Sequence, residues 1–174
     1  MPKASKTWQT LHSSKDQAWR TPAALYNALD KEFGFTLDAA ASRNNKKCEN
    51  YLGPDHPNPT KQNSLKAHWQ GTVFCNPPYG RTVNQWVQHA KEQAQQGATV
   101  VMIVMACTDT NWWHEQAWKA AEIRLVQGRV SFNRSNGEKA AAAPKGSAIL
   151  IFRPHVPHNG YPEGPRVVSW PCPK

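Results

Sequence analysis

Acidic residues are scarce in this chain: 12 Asp and Glu stand against 21 Lys and Arg in 174 residues, a formal net charge of +9 at pH 7. So basic a balance disfavours a positively charged partner and favours a polyanionic one, most simply nucleic acid, although charge alone does not prove it. Long apolar runs are also missing. The longest, Ala98–Cys107, is too short to cross a bilayer as a helix and reads as a buried strand. The four cysteines, Cys48, Cys75, Cys107 and Cys172, are widely scattered, and the absence of any C-x-x-C pair excludes a zinc ribbon and a thioredoxin-type centre. With no secretory apolar segment at the N-terminus, they are expected to be reduced thiols in a cytoplasmic protein. His114-Glu115 lacks a second histidine at metalloprotease spacing, and His155 and His158 lie three apart in extended chain, so no metal is expected. No internal repeat is visible, and no membrane association is expected.

What is present is strand and helix punctuation. The length suits one domain able to bury a core without staples. Residues 1–18 are polar and lysine-bearing (Lys3, Lys6, Lys15) and read as a flexible basic arm; residues 19–152 hold the pattern of a folded domain; residues 153–174 carry six of the fourteen prolines and read as an extended tail. Thr21-Pro22 opens a helix, with Thr as cap and Pro in the first turn, whose apolar stripe is Leu25, Tyr26, Leu29 and Phe33 and whose end is Gly34. Phe35–Asp38 reads as a short buried strand running into the small residues Ala39–Ser42, and residues 43–70 are polar and irregular. Strands are expected at 72–75, 99–105, 123–126 (with 129–132 as its continuation after Gly128) and 147–152, and helices at 83–96 and 112–121. Alternation of strand and helix through residues 72–126 argues an α/β fold with a mostly parallel sheet.

One run carries chemistry. Thr72-Val-Phe-Cys-Asn76-Pro77-Pro78-Tyr79-Gly80 is an apolar strand that ends directly in a polar amide, two prolines and an aromatic ring. An exocyclic amine such as adenine N6 is a poor nucleophile because its lone pair is delocalised into the ring. The Asn76 side-chain oxygen and the Pro77 carbonyl can both accept hydrogen bonds from such an amine, favouring the geometry in which the lone pair faces an electrophile. The two prolines fix φ and offer no N–H, which holds the carbonyl between them, and Tyr79 can stack on the base. The plainer reading is a strand stopped by a proline turn.

The ordered set of motifs resembles the phage-type, Dam-like DNA N6-adenine methyltransferases, a compact branch of the S-adenosylmethionine-dependent enzymes. The resemblance is carried by W-x-T-P-x-x-L from Trp19, E-F-G-F-T-L-D-A-A-A-S through Asp38 to Ser42, and W-x-G-x-V-F-C-N-P-P-Y-G around Asn76. T-D-T-x-W from Thr108, G-R-V-x-F from Gly128 and G-S-x-x-L-I-F from Gly146 complete it over residues 19–152. It implies a Rossmann-like α/β fold with a reversed last strand and methyl transfer from S-adenosylmethionine to adenine N6 in double-stranded DNA. The base is then expected to leave the stack, because its N6 is out of reach inside the duplex. No covalent intermediate is expected. The location implied is cytoplasmic, that of a bacterial host if the chain is phage- or prophage-encoded, with restriction protection and gene control both open as roles.

In the same reading Asp38, Ala39, Ala40 and Ser42 hold the methionine part of the cofactor with Trp19, Thr21 and Pro22, and Asn63 faces its adenine. Ala39–Ser42 take the place of the glycine-rich loop usual in the superfamily. Thr21-Pro22 is equally an ordinary helix start. Only 37 residues separate Asp38 from Asn76, so no separate target-recognition domain is expected and loops must read the DNA. Candidates are Arg81, Trp112, the polar stretch 43–66 and the basic loop 133–145 with Arg134, Asn136, Lys139 and Lys145, where Arg134 suits guanine; the loop serves equally well to neutralise phosphates. Pro171-Cys172 resembles a cytosine C5 nucleophile but lies in the tail, away from any strand end. Asp109 is read as part of a cap, since amino methylation needs little base help. Cytosine N4, RNA adenine and protein glutamine stay open as acceptors, as does a non-catalytic DNA-binding relic.

Overall fold

A computed structural model describes residues 20–133, 143, 145–154 and 163–173. Its elements are helix α1 (Ala23–Phe33), strand β1 (Leu37–Asp38), β2 (Thr72–Cys75), α2 (Val83–Gln95), β3 (Thr99–Met105), α3 (Asn111–Glu115), β4 (Glu122–Gln127), β5 (Ser147–Phe152) and β6 (Arg166–Pro171). They form a mixed α/β structure around one six-stranded sheet of order β1-β2-β3-β5-β4-β6. The pairs β1–β2, β2–β3 and β4–β6 are parallel, and β5 is antiparallel to both β3 and β4. Five strands therefore point one way and one is reversed.

Two expectations need correction here. The reversed strand is β5, the expected 147–152, but it is an interior strand and not the last. The segment after it, read as an extended tail, pairs along β4 from Arg166 to Pro171. Prolines 165 and 171 bracket that segment and hid it: proline at the end of an edge strand costs no ladder bond, so the same residues that signal a loop also permit an edge strand.

Side-chain alternation splits the sheet's two faces into two cores. Val73 and Cys75, Val100, Met102 and Val104, and Ala148, Leu150 and Phe152 face one side, where they meet Val87, Ala90 and Ala94 of α2 and Trp113 of α3. Phe74, Val101, Ile103, Ile149 and Ile151 face the other, against Leu25, Tyr26 and Leu29 of α1. Strands covered on both sides read as continuous apolar runs, which is why β3 and β5 were so legible. Burying a side chain such as Leu29, which has no exposed surface, stabilises the fold by about 1.5–3 kcal/mol. Trp69 and Trp113 are core, whereas Trp118 is 44% exposed.

Three local readings also shift. Thr21 does not cap α1: Pro22 holds the cap position with φ of −57° and no side-chain bond. The helix expected over 112–121 stops at Glu115 and resumes as a 3-10 turn at Ala117–Lys119, with Gln116 between them stretched to φ −119°. Residues 129–132 do not extend β4. Gly128 adopts φ of 86°, open to glycine at little cost, and turns the chain so that Val130 and Phe132 bury themselves over the α1 face.

Candidate active site

Parallel strands bring their carboxyl ends to one edge of the sheet, and α/β sheets bind ligands there. Asp38 ends β1 and pairs with Phe74; Asn76 follows the last residue of β2. Between them opens a cavity of about 510 Å³, within the range of small-molecule sites. Its lining includes Thr21, Asp38, Ala40, Ser42, Asn63, Asn76 and Pro78 from the expected set. Ala39, Pro22, Pro77 and Tyr79 are not part of that lining: Ala39 is fully buried, with its carbonyl accepting from the Ser64 hydroxyl and its N–H donating to the Phe74 carbonyl.

Asp38 is 3% exposed. One carboxylate oxygen accepts from the Lys47 backbone N–H at 2.9 Å and the other from the Ala40 N–H at 3.3 Å. Burial nevertheless outweighs these bonds and pushes the carboxyl up to about 6. Burial likewise pushes the Lys47 ammonium down, against the pull of Asp38.

Asn76 is gripped at both ends. Its side-chain N–H donates to the Thr21 hydroxyl at 3.1 Å, and its oxygen accepts from the Tyr79 hydroxyl at 3.0 Å. Tyr79, expected to stack on a base, is 9% exposed, with its ring edge-on to Phe132 at 5.8 Å. Burial raises its phenol well above the usual range, so it stays a hydrogen donor.

At the cavity the close backbone approach falls on Gly53, outside the Ala39–Ser42 loop. A Cβ on Gly53 would lie 1.7 Å from the Ala41 carbonyl oxygen, so the 52–53 segment crosses that loop at backbone contact. Close approach, the usual service of a glycine-rich loop, is here supplied from the opposite strand of chain.

Arg20, Asn45, Lys47, Gln62 and Trp86 also line the cavity; sequence reasoning named none of them, and offered the stretch holding Asn45, Lys47 and Gln62 for DNA recognition only. Arg20 sits inside the W-R-T-P run and was within reach; Lys47 lies in a stretch without periodic pattern. The Arg20 Nε is buried with no hydrogen-bond partner among the described residues. Of the expected DNA contacts, Arg81 is exposed just past Gly80, and Trp112 is half-buried against Trp113 at 5.7 Å. Exposed Lys145 reaches Cys107 at 3.5 Å, near the carboxyl end of β3. Trp19, Arg134, Asn136 and Lys139 lie outside the described residues. Among the described residues there is no cluster of metal-ligating side chains and no helix long and apolar enough to cross a membrane.

The model of the family described as DNA N-6-adenine-methyltransferase (Dam) matches residues 7–164. The chain belongs to the Dam family. It is also 31% identical over 154 residues to the DNA N-6-adenine-methyltransferase of Escherichia phage T1, a match that covers 78% of this chain and 62% of that protein. The chain thus spans about three-fifths of the length of this curated Dam relative. The matched residues include every cavity residue named above.

Proposed function

We propose that the chain methylates adenine N6 in double-stranded DNA, with S-adenosylmethionine as methyl donor, on a Rossmann-like fold. One observation carries the reading: Asn76, the group suited to an acceptor amine, lines the same cavity as Asp38 and the two cations Arg20 and Lys47.

The residues fit the cofactor's chemistry. Its amino-acid end carries an ammonium and a carboxylate. Asp38 suits the first; Lys47 and the buried Arg20 Nε, without a partner among the described residues, suit the second. Ala40, Ser42 and Trp19 complete that end and Asn63 the adenine end; Ala39 and Pro22, outside the lining, and Thr21, bonded to Asn76, act through their neighbours. When bound, S-adenosylmethionine supplies a methyl group on a sulfonium, an electrophile that needs no metal.

Asn76 Oδ1 and the Pro77 carbonyl accept the N6 hydrogens and favour a lone pair directed at the methyl carbon. Pro78 keeps that carbonyl rigid. The cofactor would supply the methyl group that N6 takes up, leaving as the neutral thioether, and the amino group would release one proton to water. Tyr79 keeps its place beside the base and adds its hydroxyl to Asn76. The extruded adenine enters over the rim, where Arg81, Trp112 and Lys145 are proposed to meet DNA, together with Arg134, Asn136 and Lys139. The catalytic unit is 19–152, flanked by the basic arm and the segment that supplies β6; the proposed location is the cytoplasm.

The test is incubation with radiolabelled S-adenosylmethionine and unmethylated duplex DNA, followed by nucleoside analysis. N6-methyladenine is the expected product. Label in cytosine, in RNA alone or in protein would reassign the acceptor; neither label nor cofactor binding would favour a non-catalytic DNA-binding protein.

A further inference from the structure

Thr21 has been considered as a helix cap and as a cofactor contact. Its hydroxyl does something else. Thr21 is 3% exposed and makes no cap bond to α1, and its Oγ1 lies 3.1 Å from Asn76 Nδ2. A side-chain amide has a donor end and an acceptor end that differ only in which way it is turned. Phenol is a good donor and a poor acceptor because its lone pairs conjugate with the ring. Tyr79 therefore favours the oxygen end of Asn76, and the nitrogen end is left for Thr21, an alcohol that accepts readily.

The backbone around Thr21 is itself fixed. Arg20 and Asn133 exchange both backbone hydrogen bonds, at 2.9 and 3.0 Å, immediately before it. Pro22 follows at φ −57°, and its carbonyl accepts from the Tyr26 N–H at 3.0 Å in the first turn of α1. Thr21 is thus an anchored acceptor and not a surface rotor.

We propose that Thr21 is a positioning residue for the methyl-transfer step: it sets the turn of the Asn76 amide, so that its oxygen end and not its nitrogen end is presented to the acceptor amine. This rests on the function proposed above. A reversed amide would offer N–H to the amine and repel it.

The test compares Thr21→Val, which keeps the shape and removes the acceptor, with Thr21→Ser, which keeps the hydroxyl. Three quantities are read: kcat and KM for S-adenosylmethionine, the affinity for S-adenosylhomocysteine by calorimetry, and the Asn76 side-chain NH2 resonances with their solvent exchange. Thr21→Val is expected to lower kcat on the order of tenfold, as for a buried donor left unpaired. Inhibitor affinity stays within about twofold by the same reasoning, because the lost bond is to Asn76 and not to the ligand. The Asn76 NH2 exchanges faster, and Thr21→Ser restores both kcat and exchange. A Thr21→Val enzyme with intact kcat and weakened inhibitor binding would make Thr21 a ligand contact and overturn the proposal. So would Asn76 resonances that ignore Thr21→Val. If the wild type makes no N6-methyladenine, the function reading falls on that result alone, while the NH2 resonances still decide whether Thr21 holds the amide. Thermal melts of both variants identify any fold defect, and Thr21→Ser, the milder change, then carries the decision.

Discussion

The Tyr79 hydroxyl donates to the Asn76 side-chain oxygen across 3.0 Å, three residues apart on a proline-locked turn. The phenol thereby supports the amide, apart from the base-stacking role proposed for its ring. Two substitutions separate the roles. Asn76→Ala removes the acceptor itself and is expected to lower kcat by about 10²–10³, the cost of losing one preorganised electrostatic group, with cofactor binding retained. Tyr79→Phe keeps the ring and loses only the hydroxyl, for an expected loss of about 3- to 10-fold. Single-turnover rates with duplex DNA check both; a Tyr79→Phe enzyme at full rate would remove the hydroxyl from the mechanism.

The legible parts of the chain are those where packing leaves a period or a sharp stop. β2, β3 and β5 are apolar runs buried on both faces, and their bounds follow from where glycine, proline or polar residues interrupt them. β1, two residues long, was read within Phe35–Asp38 from its apolar start and polar end, whereas β6 is an exposed edge flanked by prolines and read as tail. At the site, Asn76 and Asp38 stood out because each polar residue ends an apolar strand. The Thr21–Asn76 bond joins residues 55 apart and leaves no trace in local pattern. Lys47 enters the cavity because the irregular stretch folds back on β1, with Asp38 bridged to Tyr51, a contact that composition does not encode.

Asp38, in its proposed role, is expected to make cofactor binding pH-dependent. Its folded carboxyl sits at about 6, above the ordinary 3.8, because burial disfavours the charge. The sign follows directly: burying this charge costs stability above its folded pKa, and the cost disappears as pH falls and the group protonates. A bound ammonium needs the carboxylate, so affinity for S-adenosylhomocysteine should drop about tenfold per pH unit below the midpoint. Calorimetry between pH 5 and 7 checks this, with a flattened profile and weaker binding expected for Asp38→Asn. Constant affinity across that window would take the ammonium away from Asp38.

Arg124 ties the far edge of the sheet together. Its guanidinium grips both oxygens of Glu32 on α1 and, through Nε at 2.7 Å, Glu122 on its own strand; Arg166 of β6 reaches the other Glu122 oxygen at 3.2 Å. Arg124 is 8% exposed and Glu122 11%, so Arg124→Met strands a nearly buried carboxylate. Breaking a buried pair costs about 3–5 kcal/mol; with Glu32 solvent-facing and Arg166 still present, a loss at the low end, about 3 kcal/mol, is expected. That corresponds to a melting shift on the order of 10 °C. The pair lies toward the amino ends of β4 and β6, opposite the cavity, so kcat below the melting range should hold. Arg124 also keeps the Glu32 carboxyl below its usual range, so this contribution is present at neutral pH and lost on acidification.

Gly53 tests whether the cavity floor depends on backbone contact. A methyl group there meets the Ala41 carbonyl at 1.7 Å for its oxygen and 2.8 Å for its carbon. Both neighbours are main chain and cannot rotate aside. Both are also tied: Ala41 N–H donates to the Leu52 carbonyl, and Gly53 N–H to the Lys61 carbonyl, each at 3.0 Å. Gly53→Ala must therefore move the Ala39–Ser42 loop, at the upper end of overpacking costs, about 3 kcal/mol. Gly146→Ala is the control, since nothing lies within 4 Å of its Cβ position; its effect should stay within about 0.5 kcal/mol, as at ordinary surface sites. Thermal denaturation and S-adenosylhomocysteine calorimetry on both variants decide the matter. Because Ala41 and Gly53 both line the cavity, the loop shift should reach the ligand, and Gly53→Ala should lose affinity even where it remains folded. A folded Gly53→Ala protein with unchanged affinity would mean that the loop yields without disturbing the site, and that the crossing serves the fold alone.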